Sequence, residues 1–287
     1  MSAALRALGL AAGAGLAAVG GATAQVAGAP SAPIPAVTMP GTELRTLHST
    51  ATGRGYDIYV LLPNGYARDP AARYPVLYVL DGQWDFKLLN SIQGGLVYDR
   101  AIPEILVVGI TYSGADPDYN ALRAADYTTV PVSRVPGSGG APRFLSFLRD
   151  EVIPFVGANY RTDPSPSRRA LMGSSYGGLF TLYALFTEPA LFGGYVAASP
   201  AVSYADRAAF RQEAEYAAAH RDLPARLYIA VGDREELAGP VREFMGIVRG
   251  RGYQGLRLET HVVEGEGHSG NKPEAFNRGL RFVMGNP

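Results

Sequence analysis

The 287-residue chain is 47% hydrophobic and 18% charged, with 26 acidic and 26 basic side chains. That balance leaves no field to draw in nucleic acid or an anionic membrane, and the apolar content is enough for a large buried core. The absence of cysteine excludes disulfides, thiol chemistry and a lipid-bearing N-terminal Cys, so a globular protein stabilised by packing alone is expected.

The first residues read as a targeting segment. Arg6 gives a weakly positive start, Leu8 to Val19 is an apolar run rich in Ala and Gly, and Ala22-Thr23-Ala24 is a small-x-small cleavage pattern. Cleavage after Ala24 is expected, which makes the protein exported, either periplasmic or secreted. The alternative is an uncleaved anchor, but the run is short and glycine-rich for a membrane span. Residues 25–42 are Pro/Ala-rich without periodicity and read as a linker, with the folded domain occupying 43–287.

Within that domain, strand-like runs alternate with helical patterns. "YDIYVLLP", "YPVLYVLDG", "EILVVGITY", "RRALMGS", "GGYVAASP", "ARLYIAVGD" and "LRLETHVVEG" are apolar runs bounded by turn residues, as strands covered on both faces require. "FLSFLRDEVIPFV", "GLFTLYALF" and "PVREFMGIVRGR" carry helical periods between them. An α/β fold follows, with a mostly parallel central sheet, helices on both faces and antiparallel pairing among the first strands. Ser113 to Ala141 breaks the alternation, being rich in Gly, Pro, Ser and Tyr with almost no apolar period. A loop that long in a compact domain either faces a substrate or is a solvated excursion.

The chemistry centres on "MGSSYGGLF". Gly173-Ser174-Ser175-Tyr176-Gly177 between a strand and a helix has the G-x-S-x-G pattern of a nucleophile elbow. Glycines two residues either side remove the Cβ atoms that would collide at so sharp a turn, and the central residue is left strained with its hydroxyl exposed. Ser175 has both flanking glycines and Ser174 does not, so Ser175 is the candidate nucleophile. The helix that follows offers free N–H groups and its positive end where negative charge develops in acyl transfer.

A serine hydroxyl needs a base, normally histidine, and an acid that fixes the histidine tautomer. Of His48, His220, His261 and His268, only His268 lies in a loop after the final strand, where the base falls in this chain order. The acid is expected after "LYIAVG", among Asp233, Glu235 and Glu236. Spacing favours Glu235, since Asp233 sits close to the strand end and Glu236 is placed to start a helix. The N–H groups of Gln83, in "LDGQWDF", and Tyr176 are the candidate oxyanion donors, with Asp81 and Trp84 shaping the same wall or, for Trp84, packing in the core.

At these residues the chain resembles the esterase family of α/β hydrolases that includes enterobactin and salmochelin esterases, esterase D type enzymes, feruloyl esterases and mycolyltransferases. "YPVLYVLDGQWDF", "RAADYTT", "GSSYGGLF", "AASPAVSY" and the late Gly-His carry the resemblance, which spans Glu43 to Met284 and is most similar to the periplasmic siderophore-esterase branch. It implies a Ser175/His268 pair with Gln83 and Tyr176 as backbone donors. The segment from Ser113 to Ala141 departs from that branch in lacking clustered Arg and Lys; it holds Arg123 and Arg134, and Arg123 is spaced for a local ion pair with Asp126.

The expected activity is therefore hydrolysis of carboxylic esters by an exported serine esterase through an acyl-enzyme on Ser175. The substrate is a small-molecule ester; no metal, organic cofactor, nucleic acid or membrane insertion of the mature chain is implied. An acyltransferase using the same acyl-enzyme and a non-catalytic binding protein on the same fold are the alternatives.

Overall fold

The computed structural model describes residues 37–285, so the expected export signal and most of the linker lie outside the described residues. Mostly apolar runs form the inner strands and a polar one the edge strand β1: β1 (Thr42–His48), β2 (Gly55–Leu61), β3 (Val76–Val79), β4 (Leu106–Tyr112), β5 (Arg169–Ser174), β6 (Gly194–Ala198), β7 (Arg226–Gly232) and β8 (Arg257–Val263). The helices are α1 (Gly82–Tyr98), α2 (Tyr119–Tyr127), α3 (Ala141–Phe147), α4 (Ile153–Asn159), α5 (Tyr176–Thr187), α6 (Tyr204–Ala219), α7 (Ala238–Arg251) and α8 (Lys272–Met284).

One eight-stranded sheet runs in the order β1-β2-β4-β3-β5-β6-β7-β8. β1 pairs with β2 and β2 with β4 antiparallel, whereas every neighbour from β4 to β8 is parallel. The α/β fold with a mostly parallel sheet expected from the strand–helix alternation is therefore present. Every residue of β3, β4 and β6 is buried, while β1, an edge strand, is partly or fully exposed. Continuous apolar runs pack on both faces, and an edge tolerates polar residues. α1 and α8 pack against each other and on the sheet; α5 packs on β5 and β6 and meets α2, α3 and α6.

Two differences from the sequence expectation matter. The segment from Ser113 to Ala141 contains α2, a short amphipathic helix that the Gly, Pro and Ser around it conceal. Asp118 caps this helix by accepting the Ala121 N–H at 3.0 Å, and Ala124, Ala125, Asp126 and Tyr127 are buried in it. A nine-residue helix is too short to hold alone, so its buried face packing on α5 and α3 stabilises it. Secondly, the single period of "FLSFLRDEVIPFV" is two helices, α3 and α4, joined by a π-helical turn at Leu148–Val152 just before Pro154, which has no N–H to continue an α-helical ladder.

The fold brings the loops after β3, β5, β6, β7 and β8 to the same edge of the sheet, because these strands are mutually parallel and all end there. Ligand sites in open α/β sheets gather at this carboxyl edge.

Candidate active site

Ser175 links β5 to α5 with φ 60° and ψ −119°, a region that L-residues rarely enter. The flanking glycines make that conformation possible. A Cβ on Gly173 would stand 2.5 Å from the Gly177 carbonyl carbon, and one on Gly177 3.2 Å from Asp81 Oδ2. The Ser175 N–H donates to Ala198 O at 3.0 Å, which ties the elbow to β6. Ser174, by contrast, is 1% exposed with a hydroxyl that has no partner among the described residues. Gly173→Ala is expected to cost about 1–3 kcal/mol through overpacking against a backbone that cannot move away, read as a fall in Tm by calorimetry.

His268 follows β8, and its Nδ1 lies 2.5 Å from Glu235 Oε2. The other carboxylate oxygen of Glu235 accepts hydrogen bonds from the Ser199 hydroxyl at 2.5 Å, the Gly232 N–H at 2.7 Å and Asn271 Nδ2 at 3.2 Å. Burial would raise the Glu235 carboxyl, but the hydrogen bonds from His268, Ser199 and Gly232 outweigh it and hold the group below its ordinary value. Glu235 is thus an ionised acceptor against the far nitrogen of an imidazole whose side chain is 42% exposed. Asn271 Nδ2 also donates to the carbonyls of Gly267 and His268, which fixes the loop carrying the histidine.

Ser175 and His268 line one cavity of about 450 Å³ together with Trp84, Asp85, Asn120, Arg123 and Lys272. Gln83 and Tyr176 are in the first turns of α1 and α5, where N–H groups have no acceptor within the helix. The Gln83 side chain points elsewhere, accepting from Thr111 Oγ1 at 2.7 Å. Gly82 is required by close backbone approach: a Cβ there would stand 2.9 Å from the Gly109 carbonyl carbon.

The cations at this cavity are already paired. Lys272 Nζ lies 2.8 Å from Asp85 Oδ1, and burial pushes the Asp85 carboxyl up to about 6 against the pull of that ammonium. Arg123 is bidentate to Asp81, not to Asp126; Asp126 is taken by Arg54 and by the Tyr56 hydroxyl. The expected local Arg123–Asp126 pair therefore does not form, because two buried carboxylates each find a cation far away in sequence. Trp84 is 45% exposed and on the cavity wall, and Asp81, 1% exposed, lies behind that wall.

The remaining candidates are engaged elsewhere. Asp233 Oδ1 accepts the Gly265 N–H at 2.8 Å, and Glu236 is exposed, ahead of α7, which begins at Ala238. His261 Nε2 pairs with Glu274 at 2.8 Å, His220 stacks on Tyr216, and His48 ends the edge strand β1. Ser199, Asn271, Asp85 and Lys272 join the site without a sequence motif that marks them individually. The positive φ of Ser199, 42°, after "YVAA" is the kind of strain that marks a site, yet its only sequence trace is the motif "AASPAVSY".

Known proteins share this architecture. The family model described as "Putative esterase" matches residues 49–271. The ferri-bacillibactin esterase of Bacillus subtilis is 29% identical over 87% of this chain and 91% of its own length. The apo-salmochelin esterase of Escherichia coli is 30% identical over 73% of this chain and 61% of its own. The crystal structure of the BES protein from Bacillus cereus superposes with a TM-score of 0.78 at 23% identity, covering 88% of this chain and 99% of that one. The chain belongs to this esterase family and is a carboxylic ester hydrolase of the α/β-hydrolase fold.

Proposed function

We propose that the chain is an exported serine esterase that hydrolyses ester-linked siderophores through an acyl-enzyme on Ser175. The observation that carries this reading is a strained serine sharing one cavity with a histidine whose Nδ1 is held 2.5 Å from a buried carboxylate. Ser175 Oγ attacks the ester carbonyl carbon and passes its proton to His268 Nε2, the ring nitrogen that Glu235 leaves available. The carbonyl oxygen takes the negative charge against the N–H groups of Gln83 and Tyr176. The tetrahedral intermediate then collapses, and His268 gives the proton to the departing alkoxide. Water, deprotonated by the same nitrogen, releases the acid and restores the serine.

The siderophore class rests on the names of the bacillibactin and salmochelin esterases and on the half-exposed Trp84 ring on the cavity wall. Export rests on the apolar run and the Ala22-Thr23-Ala24 pattern. Among the described residues no helix is long and apolar enough to cross a membrane.

A fluorophosphonate probe is expected to label Ser175 in a mature protein that begins at Gln25. In a turnover screen, catecholate siderophore lactones are expected to exceed feruloyl sugars and simple acyl esters in kcat/KM. Labelling at another residue would overturn the nucleophile, and a preference for feruloyl sugars would overturn the substrate class.

A further inference from the structure

We propose that Arg123 is a positioning residue that sets the spacing between the two oxyanion donors, Gln83 N–H and Tyr176 N–H; the proposal rests on the serine-esterase reading above. These donors come from separate turns. β3 and β5 are parallel neighbours, but their ladder ends at Val79 opposite Met172, with one further bond from Leu80 N–H to Met172 O at 2.9 Å. Beyond it the chains part: the Ser175 N–H bonds to Ala198 on the far side, and Asp81 enters the left-handed region at φ 56° to start α1. Something other than the sheet must fix the gap.

The Arg123 guanidinium spans it. Nε lies 2.9 Å from Asp81 Oδ1, Nη2 2.7 Å from Asp81 Oδ2, and Nη2 also 3.3 Å from Ser174 O. One rigid, planar group therefore holds the residue two before Gln83 and the residue two before Tyr176. α2 adds another tie: the Asp81 N–H donates to the Tyr127 hydroxyl at 3.3 Å. The guanidinium lies 5.5 Å from the Trp84 and Tyr176 rings and 5.9 Å from the Tyr127 ring, with the Arg123 side chain 12% exposed. Packing on three rings and a bidentate carboxylate leave it little freedom. Oxyanion donors act only when held within about 0.5 Å of their productive positions, so a clamp of this kind bears directly on transition-state stabilisation. The segment from Ser113 to Ala141 thereby acquires a role at the site, since its helix α2 delivers Arg123 and Tyr127 to the elbow.

Lysine retains the charge opposite Asp81 but cannot hold both carboxylate oxygens and the Ser174 carbonyl in one plane. Arg123→Lys is expected to lower kcat about 10- to 100-fold on a short p-nitrophenyl ester, leaving KM within about threefold. Affinity for a boronic acid that forms a tetrahedral adduct on Ser175 should fall by the same factor as kcat/KM. Asp81→Asn, which removes the other half of the clamp, should show the same split, and the double variant should lose no more than the worse single one. A raised KM at unchanged kcat would overturn the proposal in favour of a substrate-binding arginine. Unchanged kcat and boronate affinity with only a lower Tm, or failure of both variants to fold, would overturn it in favour of a purely structural ion pair. Wild-type protein that neither hydrolyses the ester nor binds the boronic acid would instead overturn the serine-esterase reading itself.

Discussion

Replacing Ser175 with alanine is expected to lower kcat by about 10⁶-fold while leaving the fold intact. No other hydroxyl can take over: Ser174, the adjacent serine, is buried with its side chain away from an acceptor, and Ser199 is occupied by Glu235. Alanine at position 175 inherits the same φ of 60°, and the serine side chain makes no capping hydrogen bond to α5, so little native interaction is lost. Circular dichroism and Tm should therefore match the wild type within a few degrees. His268→Ala should cost about as much, and the double variant no more than either, because nucleophile and base act as a unit. Turnover of a p-nitrophenyl ester measured per mole of folded protein is the test. Wild-type activity in Ser175→Ala would remove Ser175 from the mechanism.

Glu235→Gln is the second large effect, expected at about 10²- to 10⁴-fold in kcat near pH 7. Glu235 Oε1 faces three donors, from Ser199, Gly232 and Asn271, and Oε2 faces His268 Nδ1. A glutamine that keeps its oxygen toward the three donors must turn its amide NH₂ toward Nδ1. That arrangement suits the tautomer with Nδ1 bare and the proton on Nε2, which cannot accept a proton from Ser175. Flipping the amide would restore the tautomer but set NH₂ against three donors. Either state is poor, and both leave the imidazolium without a negative partner. Asp233→Asn and Glu236→Gln should each stay within about tenfold. Asparagine can still accept the Gly265 N–H, and Glu236 is exposed. A large loss in Asp233→Asn with Glu235→Gln unaffected would move the acid to the strand end. Activity in all three variants would mean that His268 is oriented without a carboxylate.

By itself the sequence determined what depends on local geometry and on chain order. Gly173 is needed by that turn itself, since a Cβ there collides with Gly177 four residues away, so the elbow is legible in five consecutive residues even though Gly177 answers to Asp81 and Leu80, far off in sequence. The parallel sheet is legible because strands buried on both faces must be mostly apolar, as the fully buried β3, β4 and β6 are. His268 and Glu235 stand out because loops that follow parallel strands must converge at one edge. What only the tertiary structure decided is the set of partners that chain order does not specify. Arg123 reads locally as a mate for Asp126, yet it reaches Asp81, 42 residues earlier, and Lys272 reaches Asp85 across 187 residues. Ser199 and Asn271 converge on Glu235 Oε1 from 36 residues away on either side. Helix α2 lies in a segment whose Gly, Pro and Ser content hides it, and its place is set by partners remote in sequence: Arg123 on Asp81, and Asp126 on Arg54 and Tyr56. The physical reason is the same throughout. A buried charge must find a counter-charge wherever the fold supplies one, and the cost of leaving it unpaired depends on three-dimensional burial, which no run of neighbouring residues encodes.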